Sequence, residues 1–450
     1  MRDTYVHVVG GGLAGSEIAL QLASRGIHVV LHEMRPMEVT KVHTSAMFAE
    51  LVCSNSLKSN DLSNAEGLLK EELRMLGSKL LQIAEKCAVP AGKSLAVDRK
   101  RFSEMVSEAL WNENRIIIRR ELIEQIPLED NTLWVIATGP VTHRRFAGWL
   151  QKLTGGFLHF FDAVSPIIYA DSIDMQKVYV ADRYGKGSGD YLNCPMNEEE
   201  YEIFWKELVN AETVEVHDFD KGLLFERCQP IEEIARSGKD ALRYGPLKPV
   251  GLLDPRTGKE PYAVVQLRKE NREGTLYSLV GFQTRLRWKE QKRIIRLIPG
   301  LEKAEIARYG VIHKNVYIEA NRVLDDFLRL RKHKKLFFAG QVAGFEGYVS
   351  AIATGLFVAF NIYRSLSGQD MTSFPRETML GSLVNAVVHH EGTLKPMYAN
   401  FGLLPPLALR GSRLEKRLEM SKRALSAMKE FLDSEGKAWQ TFRSRSALTG

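Results

Sequence analysis

Residues 5–15 constrain the fold more than any other stretch of the chain. Tyr5-Val6-His7-Val8-Val9 is an apolar run rich in β-branched residues, and Gly10-Gly11-Gly12-Leu13-Ala14-Gly15 follows it directly. A GxGxxG string alone is a weak signal. Between a strand and a helix it becomes the turn that lets a dinucleotide pyrophosphate lie against free helix N–H groups. Gly10 permits the tight turn, Gly12 lets the phosphates approach the backbone, and Gly15 lets helix and strand pack closely. The helix runs through Ile18-Ala19 and Leu22-Ala23 and stops at Gly26, a natural C′ residue. Residues 27–33 form the next strand. It ends on Glu33, where a ribose-binding acid is expected. The predicted fold class is α/β, with a Rossmann-like dinucleotide-binding domain.

The turn serves NAD and FAD alike. Two later segments favour FAD. Val135-Ile136-Ala137-Thr138-Gly139 resembles the ATG strand of two-dinucleotide-domain flavoproteins, and Leu336-Phe337-Phe338-Ala339-Gly340-Gln341 resembles their final flavin-contacting strand. A chain of 450 residues exceeds one ordinary core. The stretch between these strands mixes extended runs with helices, such as 198–210, capped by Asn197 with Glu200 three positions on. The expected organisation is an FAD-binding domain, first part, over 1–150 and an inserted α+β domain over 151–310. The second part of the FAD-binding domain, with a basic C-terminal helix at 412–432, occupies 311–435. Leu68, Leu69, Leu73, Leu76, Leu80 and Ile83 predict one helix starting at Asn64, with Cys87 continuing its buried stripe.

Composition narrows the function. Hydrophobic and charged fractions of 44% and 26% are those of a globular protein. No apolar run approaches the ~18 residues of a membrane span, and Met1-Arg2-Asp3 leads straight into the first strand. A soluble cytoplasmic protein is expected. The net charge of +7 favours a polyanionic partner. Basic residues cluster at Arg285–Arg296, at Arg329–Lys335 and over Arg410–Arg445. Each run is compatible with a solvated helix face and with phosphate binding. The four cysteines, Cys53, Cys87, Cys194 and Cys228, form no CxxC pair, so no metal site is expected. Cys53 lies in a polar Cys-Ser-Asn-Ser stretch, and Cys228 follows Arg227, a neighbour able to favour a thiolate. Cys194, before Pro195, reads as structural.

Longer strings carry a closer resemblance. Phe48-Ala49-Glu50-Leu51-Val52-Cys53-Ser54-Asn55-Ser56, Glu33-Met34-Arg35-Pro36, Asn64-Ala65-Glu66-Gly67-Leu68-Leu69 and Val89-Pro90-Ala91-Gly92 are four of them. Others are Leu95–Arg99, Asp190–Met196, Asp254–Gly258, Val280–Thr284 and Asn400–Pro406. Together they resemble the folate- and flavin-dependent tRNA uracil-5 methyltransferase family, TrmFO, over nearly the whole chain. Two places depart from the family pattern. Gly11 stands where alanine is expected. Residues 343–353 keep Gly344, Glu346, Gly347 and Tyr348 but have Ser350 in place of an acid.

The resemblance implies an FAD enzyme that methylates C5 of a T-loop uridine in tRNA. Methylenetetrahydrofolate would be the carbon donor and NADPH or NADH the reductant, with reduced flavin carrying the methylene and supplying the hydride. Uracil C5 is a poor nucleophile until a thiolate adds at C6. The resemblance assigns that thiolate to Cys228 and makes Cys53 its partner, the proton acceptor; the two roles are interchangeable at this level. It places Gly10, Gly11, Gly12, Leu13, Ala14, Gly15, Glu33, Arg35, Thr138, Gly139, Gly340, Gln341, Gly347 and Tyr348 on the cofactor. Tyr348 and Trp288 become folate-stacking candidates, and Arg285, Arg287 and Lys292 candidates for the RNA backbone. No obligate protein partner is expected. Four other readings stay open: the same chemistry on ribosomal RNA, a related flavin-dependent wobble-uridine modification, a non-catalytic RNA-binding flavoprotein, and a small-molecule flavin oxidase.

Overall fold

The computed structural model describes residues 5–40, 42–129, 132–156, 158–185, 189–214, 229–408 and 410–435. The β-branched run at the start forms the strand Tyr5–Val9, the centre of a six-stranded sheet. Its neighbours are His28–Glu33 on one side and Leu133–Ile136 on the other, both parallel to it. Ile116–Arg120 extends the sheet beyond His28–Glu33, and His333–Phe338 extends it beyond Leu133–Ile136, again in parallel. The short strand Arg329–Leu330 closes that edge antiparallel. Segments nearly 200 residues apart in sequence therefore build one sheet. Strands buried on both faces must be apolar along their length, and Leu133–Ile136 is buried at every position.

Helices Leu13–Ala23 and Tyr348–Leu366 pack together against this sheet. A Cβ at Gly355 would stand 2.6 Å from the Ala14 carbonyl oxygen, so only glycine permits that approach. The second helix corrects one expectation. It has 19 residues and is apolar enough to cross a membrane by length and composition. Here it is a core helix, buried through Phe357, Val358, Ala359, Phe360 and Ile362.

A second sheet lies within residues 167–308. It is antiparallel, in the order Tyr179–Val180, Tyr191–Met196, Ala263–Lys269, Leu276–Leu279, Ile167–Tyr169, Ile306–Arg308. Helices Glu198–Asn210, Ile231–Arg236 and Trp288–Ile295 accompany it, and its apolar core is separate from that of the parallel sheet. The chain passes between the two sheets through an antiparallel ribbon, Leu158–Ala163 paired with Ile312–Tyr317. A third, three-stranded sheet joins Ser56–Ser59, Ser94–Val97 and Ala88–Val89.

The single helix expected from Asn64 is two helices, Ala65–Met75 and Lys79–Lys86. Gly77 takes a left-handed φ of 74° and stops the first; the Ser78 hydroxyl accepts from Leu81 N–H and caps the second. The apolar stripe continues across the break because the leucines of both helices enter one apolar core. Cys87 caps the second helix and is fully buried, where burial pushes its thiol pKa up. The capping box at Asn197 and Glu200 is present, and the C-terminal helix runs Arg413–Ser434.

Two carboxylates act as caps across the fold. Glu17 accepts from the Lys79 and Leu80 amides at the start of Lys79–Lys86 (3.1 and 2.8 Å). Glu72 accepts from the Met379 and Leu380 amides at the start of Met379–Val388 (2.6 and 2.9 Å). Both are fully buried, and burial raises both pKa values, that of Glu72 to about 8.

Candidate active site

The glycine turn shows why each glycine is required. Gly10 has φ 105°, and a Cβ there would lie 2.5 Å from the Ala137 carbonyl oxygen. A Cβ at Gly15 would fall 1.9 Å from the Gly10 oxygen. Gly12 is the opposite case: nothing lies within 4 Å of where its Cβ would be. Gly12 is also the N-cap of helix Leu13–Ala23, which has no side-chain cap and no acid in its first turn. Its first N–H groups face a cleft of about 1740 Å³, counting the open mouth. A concave site with unclaimed amide donors at a helix start fits a pyrophosphate. Gly139 and Gly347 likewise have open space beside them.

From this turn the cleft extends two ways. One end is lined by His32, Glu33, Arg35, Glu121, Ile123, Thr138, His143 and Phe146, the other by Cys53, Gly340, Gln341, Glu346, Tyr348 and Ser350. Glu33 sits at the end of its strand with both oxygens engaged. Oε2 accepts from Gly11 N–H (2.9 Å), and Oε1 accepts from Arg35 N–H and Nε (3.0 and 2.8 Å). Burial would raise its pKa, but the Arg35 hydrogen bonds and charge outweigh burial and hold it below the usual value. Arg35 in turn reaches Glu50, whose oxygens also accept from Thr44 and Ser45. His43 stands nearby in the cleft wall; burial and the Arg35 charge lower its pKa to about 4, so it is neutral at physiological pH. On the same side the Thr138 and Thr142 hydroxyls share a hydrogen bond, and at the other end Gln341 Nε2 donates to Glu346 (2.6 Å).

The loop carrying Cys53 meets that far end. Tyr348 opens helix Tyr348–Leu366, and its hydroxyl oxygen accepts from both Cys53 N–H (2.7 Å) and Ser54 N–H (3.2 Å). Cys53 is half-buried and lines the cleft. Cys194, by contrast, is fully buried in the second core, and burial drives its thiol pKa far up, which leaves it inert. Cys228 lies outside the described residues.

The remaining candidates lie apart from the cleft lining. Trp288 opens its helix on the second sheet, 64% exposed, with its ring stacked on Tyr309 at 5.1 Å. The Arg285 side chain is largely buried between Glu232 and Glu233, and Arg287 lies 3.4 Å from Glu212. Arg293 pairs with Glu207 and Glu290, while Lys292 is exposed. In the second basic cluster Arg329 and Lys334 both bind Asp325. His43 and Glu346 line the cleft without having been singled out as site residues. Glu50, also in the lining, sits in the same string as Cys53, and that shared string is the signal that could have found it.

Comparison with known proteins agrees with this geometry. The family model described as "Glucose inhibited division protein A" matches residues 5–370. A Thermotoga sp. (strain RQ2) protein named methylenetetrahydrofolate–tRNA-(uracil-5-)-methyltransferase TrmFO is 59% identical over 95% of this chain and 99% of its own. The chain belongs to the TrmFO/GidA flavoprotein family. Family members of the same name from Thermotoga maritima and Fervidobacterium nodosum are 59% and 58% identical, each over 95% of this chain and over 99% and 97% of their own. In three dimensions the chain is similar to Aquifex aeolicus GidA, with a TM-score of 0.69 at 18% identity over 95% of this chain and 73% of that one. That likeness carries the fold alone, an α/β architecture with a Rossmann-like domain.

Proposed function

We propose that this chain is an FAD-dependent methyltransferase that converts a T-loop uridine of tRNA to 5-methyluridine in the cytoplasm. Methylenetetrahydrofolate supplies the carbon, and NADPH or NADH the electrons. The observation that carries the reading is the Cys53 loop seated on Tyr348 at one end of a dinucleotide cleft, in a chain 59% identical over 95% of its length to a protein of that name. When bound, FAD supplies methylene transfer and hydride.

The residues around it have separable tasks. The open helix start at Gly12 and Leu13 holds the pyrophosphate, and Glu33, fixed by Gly11 and Arg35, presents its edge to the ribose. Tyr348, in the cleft lining, is assigned to stack on folate, and Trp288, outside that lining, is the second aromatic candidate. At the target base, a thiolate adds to C6 and the electron pair moves to C5, which then attacks the one-carbon unit. A base takes the C5 proton, and the electron pair released expels the carrier, leaving an exocyclic methylene at C5. A hydride adds to that carbon to make the methyl group, and the thiolate leaves C6 as the C5–C6 double bond re-forms. Cys228 is assigned the addition and Cys53 the proton. The base must leave its stack to reach the cleft, with Arg287 and Lys292 holding the RNA backbone.

The test is direct. Purified protein, an unmodified tRNA transcript, methylenetetrahydrofolate and NADPH are incubated, and digested RNA is analysed by mass spectrometry. Folate-dependent 5-methyluridine, lost in both Cys228→Ala and Cys53→Ala, is expected. Yellow, FAD-loaded protein that leaves tRNA unmodified overturns the substrate.

A further inference from the structure

Cys53 belongs to the parallel-sheet core by sequence, yet much of what holds its loop comes from the second sheet. Arg308, on the edge strand Ile306–Arg308, donates through Nη2 to the carbonyls of Val42 (3.0 Å) and Val52 (2.9 Å). Arg99 donates to the Leu51 carbonyl (2.8 Å) and is anchored by Glu270 of the second sheet (2.8 Å). Asn55 donates to the carbonyls of Val97 (3.0 Å) and Lys269 (2.9 Å) and accepts from Arg268 Nε (2.9 Å). Residues 51, 52 and 55 are thus each tied, directly or through one side chain, to strand Ala263–Lys269 and its continuation or to the edge strand.

Arg308 stands out among these. It is half-buried, and among the described residues no carboxylate lies within ion-pair distance of it. A guanidinium withdrawn from water without a carboxylate is costly. What it achieves is geometric: one nitrogen joins two separate points of the 42–52 loop, one residue short of Cys53.

We propose that Arg308 is a positioning residue for the Cys53 thiol, so that the second sheet sets where the thiol stands in the cleft. Removing it frees the Val52 carbonyl and lets the segment from Val52 to Ser54 move on its Tyr348 anchor. A displacement of about 1 Å at a reacting group costs tenfold to a hundredfold in rate. The proposal rests on the reading of Cys53 as a working thiol for its kinetic consequence, but not for its structural one.

The experiment uses the FAD-loaded full chain. The iodoacetamide alkylation rate at Cys53 is read by peptide mass spectrometry from pH 6 to 9 in a Cys228→Ser background, with Arg308→Ala and Arg308→Lys compared to the parent. In the Cys228-intact chain, kcat and KM for tRNA are measured for the same substitutions. Arg308→Ala is expected to alkylate about tenfold faster at every pH and to lose about tenfold or more in kcat with KM unchanged. Arg308→Lys, which keeps a donor and the charge, should recover a large part of both. An Arg308→Ala protein that retains FAD and alkylates within twofold of its parent overturns the proposal. Should Arg308→Ala retain no FAD, Arg308→Gln is judged by the same twofold criterion. A parent that alkylates normally but methylates no RNA defeats the tRNA reading alone, and alkylation still decides this one.

Discussion

The glycine turn and the basic segment around Trp288 handle charge in opposite ways. The turn has no formal charge, yet it leaves the amides of an uncapped helix open to the cleft. The basic segment is rich in cations, yet Arg285, Arg287 and Arg293 are met by Glu232, Glu233, Glu212, Glu207 and Glu290. An anion site can therefore be strongest where charge is least evident. Other helix starts in the molecule sharpen the point: Glu17 and Glu72 fill two of them with internal carboxylates, and the start at Gly12 is left without one.

The largest test of that contrast is Gly15→Ala. Its Cβ would meet the Gly10 oxygen, a backbone atom that cannot swing aside. The expected outcome is a loss of about 3 kcal/mol or more in stability and no bound flavin, checked by absorbance near 450 nm and thermal melting. Next is Glu72→Ala, which leaves two buried amides without an acceptor and should cost about 2–3 kcal/mol by urea titration.

Glu72 also predicts a pH dependence. Its folded pKa, about 8, lies above the ordinary carboxylate value. Between about pH 4.5 and 8 the folded state keeps a proton that the unfolded state releases. This group's contribution to stability is therefore full at the acid end and falls as pH rises, by up to ~1.4 kcal/mol per pH unit. In Glu72→Gln that slope should flatten; an unchanged slope would show that Glu72 does not titrate in this window.

Smaller effects should separate the cations. Arg287→Glu and Lys292→Glu are expected to weaken tRNA binding about tenfold at low salt, each lowering the salt slope by about 1. Arg285→Glu should mainly lower the melting temperature, because the side chain is held between the buried Glu232 and the half-buried Glu233. Equal effects at all three positions would erase the distinction drawn between buried and exposed cations. The smallest change is Gly11→Ala. A Cβ there meets the Phe48 ring at 2.4 Å, and a side chain can yield where backbone cannot. About 1 kcal/mol of stability and a modest fall in FAD affinity are expected, measured by flavin fluorescence.

Much of the first sheet was legible in the chain because its signals are local. A β-branched run, three spaced glycines and an acid at a strand end specify a turn through backbone sterics, whatever lies elsewhere. The Asn197 capping box was readable for the same reason, its two partners being three residues apart. The helix break at Gly77-Ser78 was equally local, and the continuous leucine stripe across it hid the C′ glycine and N-cap serine. What could not be read depends on distant segments meeting. Nothing near Arg285 announces Glu232, and nothing in the string around Cys53 announces Arg308, 256 positions from Val52. The family strings marked Cys53 as important, but its hydrogen bonds to Tyr348 emerge only once helix Tyr348–Leu366 docks.

The Glu72 cap has a consequence for how the chain is made. Its amide partners at Met379 and Leu380 lie 307 and 308 positions downstream. Synthesis at ~5–20 residues per second leaves an interval of roughly 15–60 s between the emergence of the carboxylate and that of the amides it caps. During that interval helix Ala65–Met75 can form, but the place where Met379–Val388 docks stays vacant and wet, and Glu72 remains hydrated and ionised. The last stage of folding is then also a proton uptake at neutral pH and a drying of that surface, set by the arrival of the C-terminal quarter of the polypeptide.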